Sequence, residues 1–102
     1  MSPPEKSVTA LAKSIADLAR QAVAAYAPVV DSIISDQSTN ISHIERALDG
    51  LLDFCFDPEA LDLYKMLCRY YYRLDPAAAV YYVRAYREMW DSEPHVASNS
   101  QV

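Results

Sequence analysis

The sequence predicts an all-α protein, a small bundle of four helices, or of five if Pro28 breaks the first. Gly50 is the only glycine in 102 residues, although average usage of about 7% would supply roughly seven. Most β-hairpin turns require glycine, so this scarcity disfavours a sheet. Apolar side chains also recur at helical spacings of three and four, and the pairs Asp57-Pro58 and Asp75-Pro76 are typical helix starts.

The first predicted helix begins at Ser7 and continues to about Ala27. Pro28 lacks a backbone donor, so the helix either kinks there and continues to about Ser35 or ends, with a short second helix following. Heptad spacing of the apolar face makes a homodimer through helix 7–34 a further expectation. The residues of this face are Val8, Leu11, Ile15, Leu18, Ala22, Ala25 and Val29.

The second predicted helix covers residues 41–55, with Asn40 or Ser42 as its N-cap. Ser42 and Glu45 fit a capping box, in which Ser is followed three residues later by Glu. Gly50 lies inside this helix, where it costs about 1 kcal/mol relative to alanine, and we interpret it as a point of close contact with a neighbouring helix. The expected buried residues are Ile41, Ile44, Leu48, Leu51, Leu52 and Cys55.

The third and fourth helices are predicted at about 58–73 and 76–91. In each, an aspartate side chain accepts the free N–H groups of the first turn and a proline occupies the first helical position. The connection between them is about two residues long, which predicts a sharp corner.

The segment from Phe56 to Trp90 resembles one junction of a tetratricopeptide repeat protein. Residues 59–65 followed by Leu74-Asp75-Pro76 look like the second helix of one repeat leading into the next. Tyrosines replace the small residues of the repeat, and no second copy follows at its 34-residue period. The resemblance therefore implies an antiparallel pair of helices and carries no function with it.

These segments predict one helical domain at 7–93, a flexible N-terminus at 1–6 and a disordered tail at 94–102. No apolar run approaches the roughly 18 residues of a membrane span. The first residues also lack the basic start and apolar core of a secretory signal. A cytoplasmic location and no membrane partner are the resulting expectations.

Aromatic residues are the strongest functional signal. Ten of the eleven lie between Phe54 and Trp90. Three consecutive helical positions span about 200° of the helix circumference, so Tyr70, Tyr71 and Tyr72 cannot all face one core. The tyrosines that leave the core are either core-edge residues with buried rings and solvated hydroxyls or part of a partner-binding surface, because tyrosine and arginine are enriched at binding hot spots. Its candidate residues are Tyr70, Tyr72, Arg73, Tyr81, Arg84 and Arg87.

A row of carboxylates is the second candidate surface. Glu45, Asp49 and Asp53 are spaced by four residues and share one face of the second helix. The row is either a solvated face or a docking surface for a basic partner. A metal site is disfavoured because no histidine accompanies these carboxylates as Glu-x-x-His.

The sequence contains no motif typical of an enzyme, and we expect no cofactor and no bound metal. His43 and His95 are the only histidines, and neither has ligand spacing from Cys55 or Cys68. The cysteines are expected to be small buried residues. The function predicted is a non-enzymatic protein-interaction module with an unidentified protein partner.

The alternative is a small helical transcriptional regulator that contacts DNA through helix 76–91 with Arg84 and Arg87. The net charge of −5 disfavours nucleic acid, because a DNA-binding domain usually presents a basic surface.

Overall fold

A computed structural model describes residues 4–91, with side chains from residue 8 onward. It confirms the all-α prediction with four helices and no strand in the described part of the chain. These are α1 (Pro4–Ser35), α2 (Ile41–Leu52), α3 (Pro58–Leu74) and α4 (Pro76–Trp90). The tail predicted at 94–102 lies outside the described residues. No helix within 4–91 is long and apolar enough to cross a bilayer.

Helix α3 is the centre of the fold, because it packs against each of the other three helices. Helix α1 also packs on α2, and α2 touches α4. Tyr64 and Tyr71 are the largest fully buried side chains. The aliphatic part of the core includes Val30, Ile33, Ile44, Leu48, Leu51 and Leu67.

Helix α1 is one continuous helix of 32 residues, so the five-helix alternative is wrong. It begins at Pro4 rather than Ser7. Proline is tolerated at the first position of a helix because the backbone N–H that it lacks would have no partner within the helix there. Pro28 lies inside the helix and is exposed, as is Ala24 four residues earlier. The Ala24 carbonyl receives no helical hydrogen bond because Pro28 has no backbone N–H. It lies on a face of the helix that water can reach.

The end of α1 is closed by a left-handed residue. Gln37 has φ of 50°, a conformation that glycine adopts more readily than other residues. The amide of Ser38 donates to the Ile33 carbonyl and that of Gln37 to the Ile34 carbonyl, at 3.0 and 3.1 Å. This is the hydrogen-bond pattern of a Schellman motif, made here without glycine.

Of the two N-caps predicted for helix α2, Asn40 and Ser42, the structure has Asn40. The Asn40 side chain accepts a 3.2 Å hydrogen bond from the His43 amide, so Asn40 is the N-cap and the Ser42–Glu45 capping box is wrong. The helix ends at Leu52 rather than near residue 55, and residues 53–56 form turns. Ile41, expected in the core, is 40% exposed because the first turn lies at the edge of the bundle.

The two aspartate caps are confirmed. Asp57 accepts from the amides of Glu59 and Ala60, each at 3.1 Å. Asp75 accepts from the Ala78 amide at 3.1 Å and is the only residue between α3 and α4. The corner is therefore as sharp as the sequence predicted.

Gly50 is the point of close approach that its position predicted. A Cβ atom built there would overlap the hydroxyl and ring of Tyr26 on α1. Tyr26 is half-buried and packs on the core. The glycine therefore provides space for an aromatic ring between α1 and α2.

Candidate protein-docking groove

The tyrosine triplet on α3 divides between core and surface. Tyr70 and Tyr71 are buried, whereas Tyr72 is 55% exposed. The Tyr70 hydroxyl donates a 2.6 Å hydrogen bond to the Ser38 carbonyl, after α1. Tyr70 thus joins α3 to the α1–α2 connection, and its predicted place on a partner-binding surface disagrees with its burial.

The tyrosine pair on α4 divides in the same way. Tyr81 is 66% exposed, whereas Tyr82 is buried. Their rings meet edge to face with centroids 5.2 Å apart. Of the predicted aromatic contact residues, Tyr72 and Tyr81 are therefore accessible to a partner.

Two carboxylates of the predicted acidic surface have hydrogen-bond partners within the fold. Glu45 is half-buried and accepts a 2.6 Å hydrogen bond from the Tyr71 hydroxyl. Asp49 accepts from the Tyr82 hydroxyl at 3.0 Å. Asp53 is exposed beyond the end of α2. Glu45 and Asp49 therefore connect α2 to α3 and α4, although Asp49, like Asp53, is exposed to solvent.

Burial raises the pKa of Tyr71 and of Tyr82 above the ordinary value for tyrosine. Their hydrogen bonds to Glu45 and Asp49 raise it further. Burial is also the main cause of the raised pKa of Tyr64, whose hydroxyl donates to the Tyr82 carbonyl at 2.7 Å. All three hydroxyls are therefore neutral donors near pH 7.

An apolar groove lies between α3 and α4 and has a volume of about 490 Å³. From α3 its lining includes Leu61, Tyr64, Cys68 and Tyr72, and from α4 it includes Ala79, Val80, Val83 and Tyr86. Because Tyr72, Val80 and Val83 are exposed, the groove is an accessible surface rather than a closed cavity.

Charged side chains border this groove. Lys65 and Arg69 contribute from α3, Arg87 from α4, and Asp91 from the residue after α4. All four residues are exposed. The rim thus combines three cations with one carboxylate, although the chain as a whole is acidic.

The remaining predicted residues lie around the groove. Arg84 lines a shallower depression with Tyr72 and Tyr81. Arg73 lines another, which it shares with Arg69. Tyr72 and Arg69 therefore each connect the groove to a neighbouring depression, and the predicted arginines do not converge on one point.

Sequence reasoning found Tyr72 and Arg87 but missed most of the groove floor. The helical spacing of the lining residues could have indicated that they share a face. Leu61, Lys65 and Tyr72 share one face of α3, and Val80, Val83 and Arg87 share one face of α4. Which faces of the two helices meet is decided by tertiary packing.

No cluster of three or more metal-ligating side chains occurs among the described residues. His43 is exposed at the start of α2. The two cysteines are buried and free, as the sequence predicted. Burial raises the pKa of Cys55 to about 12 and that of Cys68 to about 11, so neither is a reactive thiolate near neutral pH.

Comparison with known proteins gives no relative. No family model matches the chain, and neither a curated protein nor a solved structure is significantly similar to it.

Proposed function

We propose that this protein is a non-enzymatic protein-interaction module that binds an acidic amphipathic helix of its partner in the α3–α4 groove. The observation that carries the proposal is an exposed apolar floor bordered by Lys65, Arg69 and Arg87. A groove between two helices suits a third helix, whose apolar residues at i, i+3, i+4 and i+7 face its floor.

The exposed floor favours a protein over a small molecule. A small-molecule site usually encloses most of its ligand, whereas Val80 and Val83 are 39% and 43% exposed. Exposed Tyr72, next to Arg69, adds residue types that are enriched at protein-binding hot spots.

The rim charges give the partner its chemistry. Three cations and one carboxylate favour glutamate and aspartate beside the apolar residues of the bound helix. Exposed charges of this kind contribute mainly to specificity and to the association rate. The apolar floor would supply most of the affinity.

The experiment selects helical peptides from a display library with leucine at i, i+3, i+4 and i+7 and random residues elsewhere. We expect acidic peptides to be enriched. Val83→Asp, in the floor, should weaken their binding by about tenfold or more. Met89→Asp is the matched control, because Met89 is also exposed on α4 and lies outside the groove lining.

A library without acidic enrichment would contradict the proposed partner chemistry. Equal binding by the wild type and Val83→Asp would contradict the site. Both variants replace residues that are more than 40% exposed, and thermal unfolding checks that their folds are intact. Tyr72→Ala is a second groove variant, whereas Tyr70→Ala would disturb the core.

A transcriptional regulator is the alternative function. Arg84 and Arg87 are exposed on α4, but they are the only basic residues of that helix. A random-sequence DNA duplex at low salt, where phosphate contacts are strongest, should not bind. Binding there that Arg84→Ala weakens would favour the regulator instead.

A cytoplasmic location belongs to the same proposal. Free Cys55 and Cys68 are typical of proteins in a reducing compartment.

A further inference from the structure

The N-terminal half of α1 presents a stripe of large aliphatic side chains to solvent. Val8 is 65% exposed and Leu11 is 62% exposed. Ile15 and Leu18 follow at 42% and 52%. Soluble proteins rarely leave such a contiguous apolar surface uncovered, and it commonly marks an interaction site.

The rest of the bundle does not cover this segment. From residue 8 onward, the first buried residue of α1 is Ala19. The overall shape agrees, since the Cα radius of gyration is 16.5 Å, compared with about 13 Å for a compact domain of 100 residues. Residues 8–18 therefore form a helical arm with one apolar face.

The spacing of the stripe is that of a short coiled coil. Val8 and Ile15 occupy heptad position a, and Leu11 and Leu18 occupy position d. The flanking positions e and g are Ala12 and Ser14, which carry no charge. Two copies of the same stripe can therefore meet without like charges facing each other.

The stripe is self-complementary when two copies run antiparallel. With the two-fold axis near Lys13, Val8 of one copy lies opposite Leu18 of the other, and Leu11 lies opposite Ile15. Every layer then combines an a residue with a d residue. Lys13 itself is at position f, on the outer face.

The position of the bundle also disfavours a parallel orientation. Ala22, the next a residue, is 8% exposed, so the bundle covers part of the same face beyond residue 19. In a parallel pair both bundles would lie at the same end of the two α1 arms, on the side where the arms contact each other, so they would compete for the same space. In an antiparallel pair they lie at opposite ends.

We infer that residues 8–18 of α1 form an antiparallel two-stranded dimer with a second copy of this chain. The interface is independent of the groove, which is lined by α3, α4 and Asp91. Four apolar side chains per copy form a small interface compared with the roughly 1,200 Å² or more that stable complexes bury. The dimer should therefore dissociate at about micromolar concentrations.

Sedimentation equilibrium of the full chain over a concentration series tests the dimer. The wild type should change from monomer to dimer, and Leu11→Glu should remain monomeric. Ala16→Glu is the control, because it adds the same charge at exposed position b, away from the stripe. A wild type that is still monomeric at about 100 μM, or a Leu11→Glu variant that forms dimers, would overturn the inference.

Leu11→Glu also separates this inference from the proposed function. Leu11 is 62% exposed, so circular dichroism should show an unchanged helical fold. A monomeric variant should still bind the selected acidic peptides in its groove. Loss of dimerisation and loss of peptide binding are thus distinct results.

The orientation is tested by a spin label on Gln21→Cys. In the antiparallel dimer the two labelled residues are 16 positions apart along the axis, or about 24 Å at 1.5 Å per residue. In a parallel dimer they would be side by side. Cys55 and Cys68 are buried and should react slowly. A separation below about 15 Å would overturn the antiparallel arrangement.

Discussion

The hydroxyl of Tyr71 on α3 donates a 2.6 Å hydrogen bond to the carboxylate of Glu45 on α2. The Tyr71 side chain is fully buried, so its hydroxyl depends on this acceptor. One turn further along α2, Asp49 accepts from Tyr82 of α4. Residues spaced by four on one helix thus connect it to both members of the α3–α4 pair.

Removing the Glu45 carboxylate should destabilise the fold. Glu45→Ala leaves a buried hydroxyl without its acceptor, which costs about 1–3 kcal/mol. In the double variant with Tyr71→Phe the loss should be smaller than the sum of the single losses, because no hydroxyl remains unsatisfied. Urea unfolding measures all three free energies.

Asp53→Ala is the control for this cycle. Asp53 belongs to the same acidic row but is exposed, so its replacement should change the free energy of unfolding by about 0.5 kcal/mol or less. Additive losses for Glu45→Ala and Tyr71→Phe would show that the hydrogen bond does not couple α2 to α3.

Alkaline pH should unfold the protein through its buried tyrosines. The pKa values of Tyr64, Tyr71 and Tyr82 are raised in the folded state. Their contribution to stability is complete below the unfolded tyrosine pKa of about 10 and is lost as pH rises above it, because only the unfolded chain releases these protons.

Absorbance titration at alkaline pH measures this effect. These three of the eight tyrosines should ionise only together with the loss of helical circular dichroism. Tyr71→Phe should reduce the slope of stability against pH above about 10. Ionisation of all eight tyrosines in a folded protein would contradict the prediction.

Gly50→Ala should reveal the contact with Tyr26. Alanine favours the helix by about 1 kcal/mol, but its Cβ would overlap the Tyr26 ring and must displace it. We expect the substitution to be neutral or destabilising in the wild type and stabilising in a Tyr26→Ala background. Thermal unfolding of the four proteins gives the coupling, and equal effects in both backgrounds would contradict it.

The local signals in the sequence predicted the elements well. Asp57 and Asp75 define helix starts because a carboxylate and a following proline satisfy the first turn without help from distant residues. The end of α1 was harder to predict, because Gln37 adopts a left-handed conformation that its residue type does not indicate. The candidate site was predicted only in part, since Tyr70 and Tyr72 have the same side chain and opposite environments.

The sequence alone determined that this chain is helical, where α3 and α4 start, and that Gly50 lies close to a neighbour. These properties depend on interactions within a few residues or on the absence of a side chain. Tertiary structure decided which tyrosines are exposed, which carboxylates the buried tyrosines contact and which faces of α3 and α4 form the groove. Those properties depend on how the helices are rotated against each other, which is fixed by the packing of the whole core.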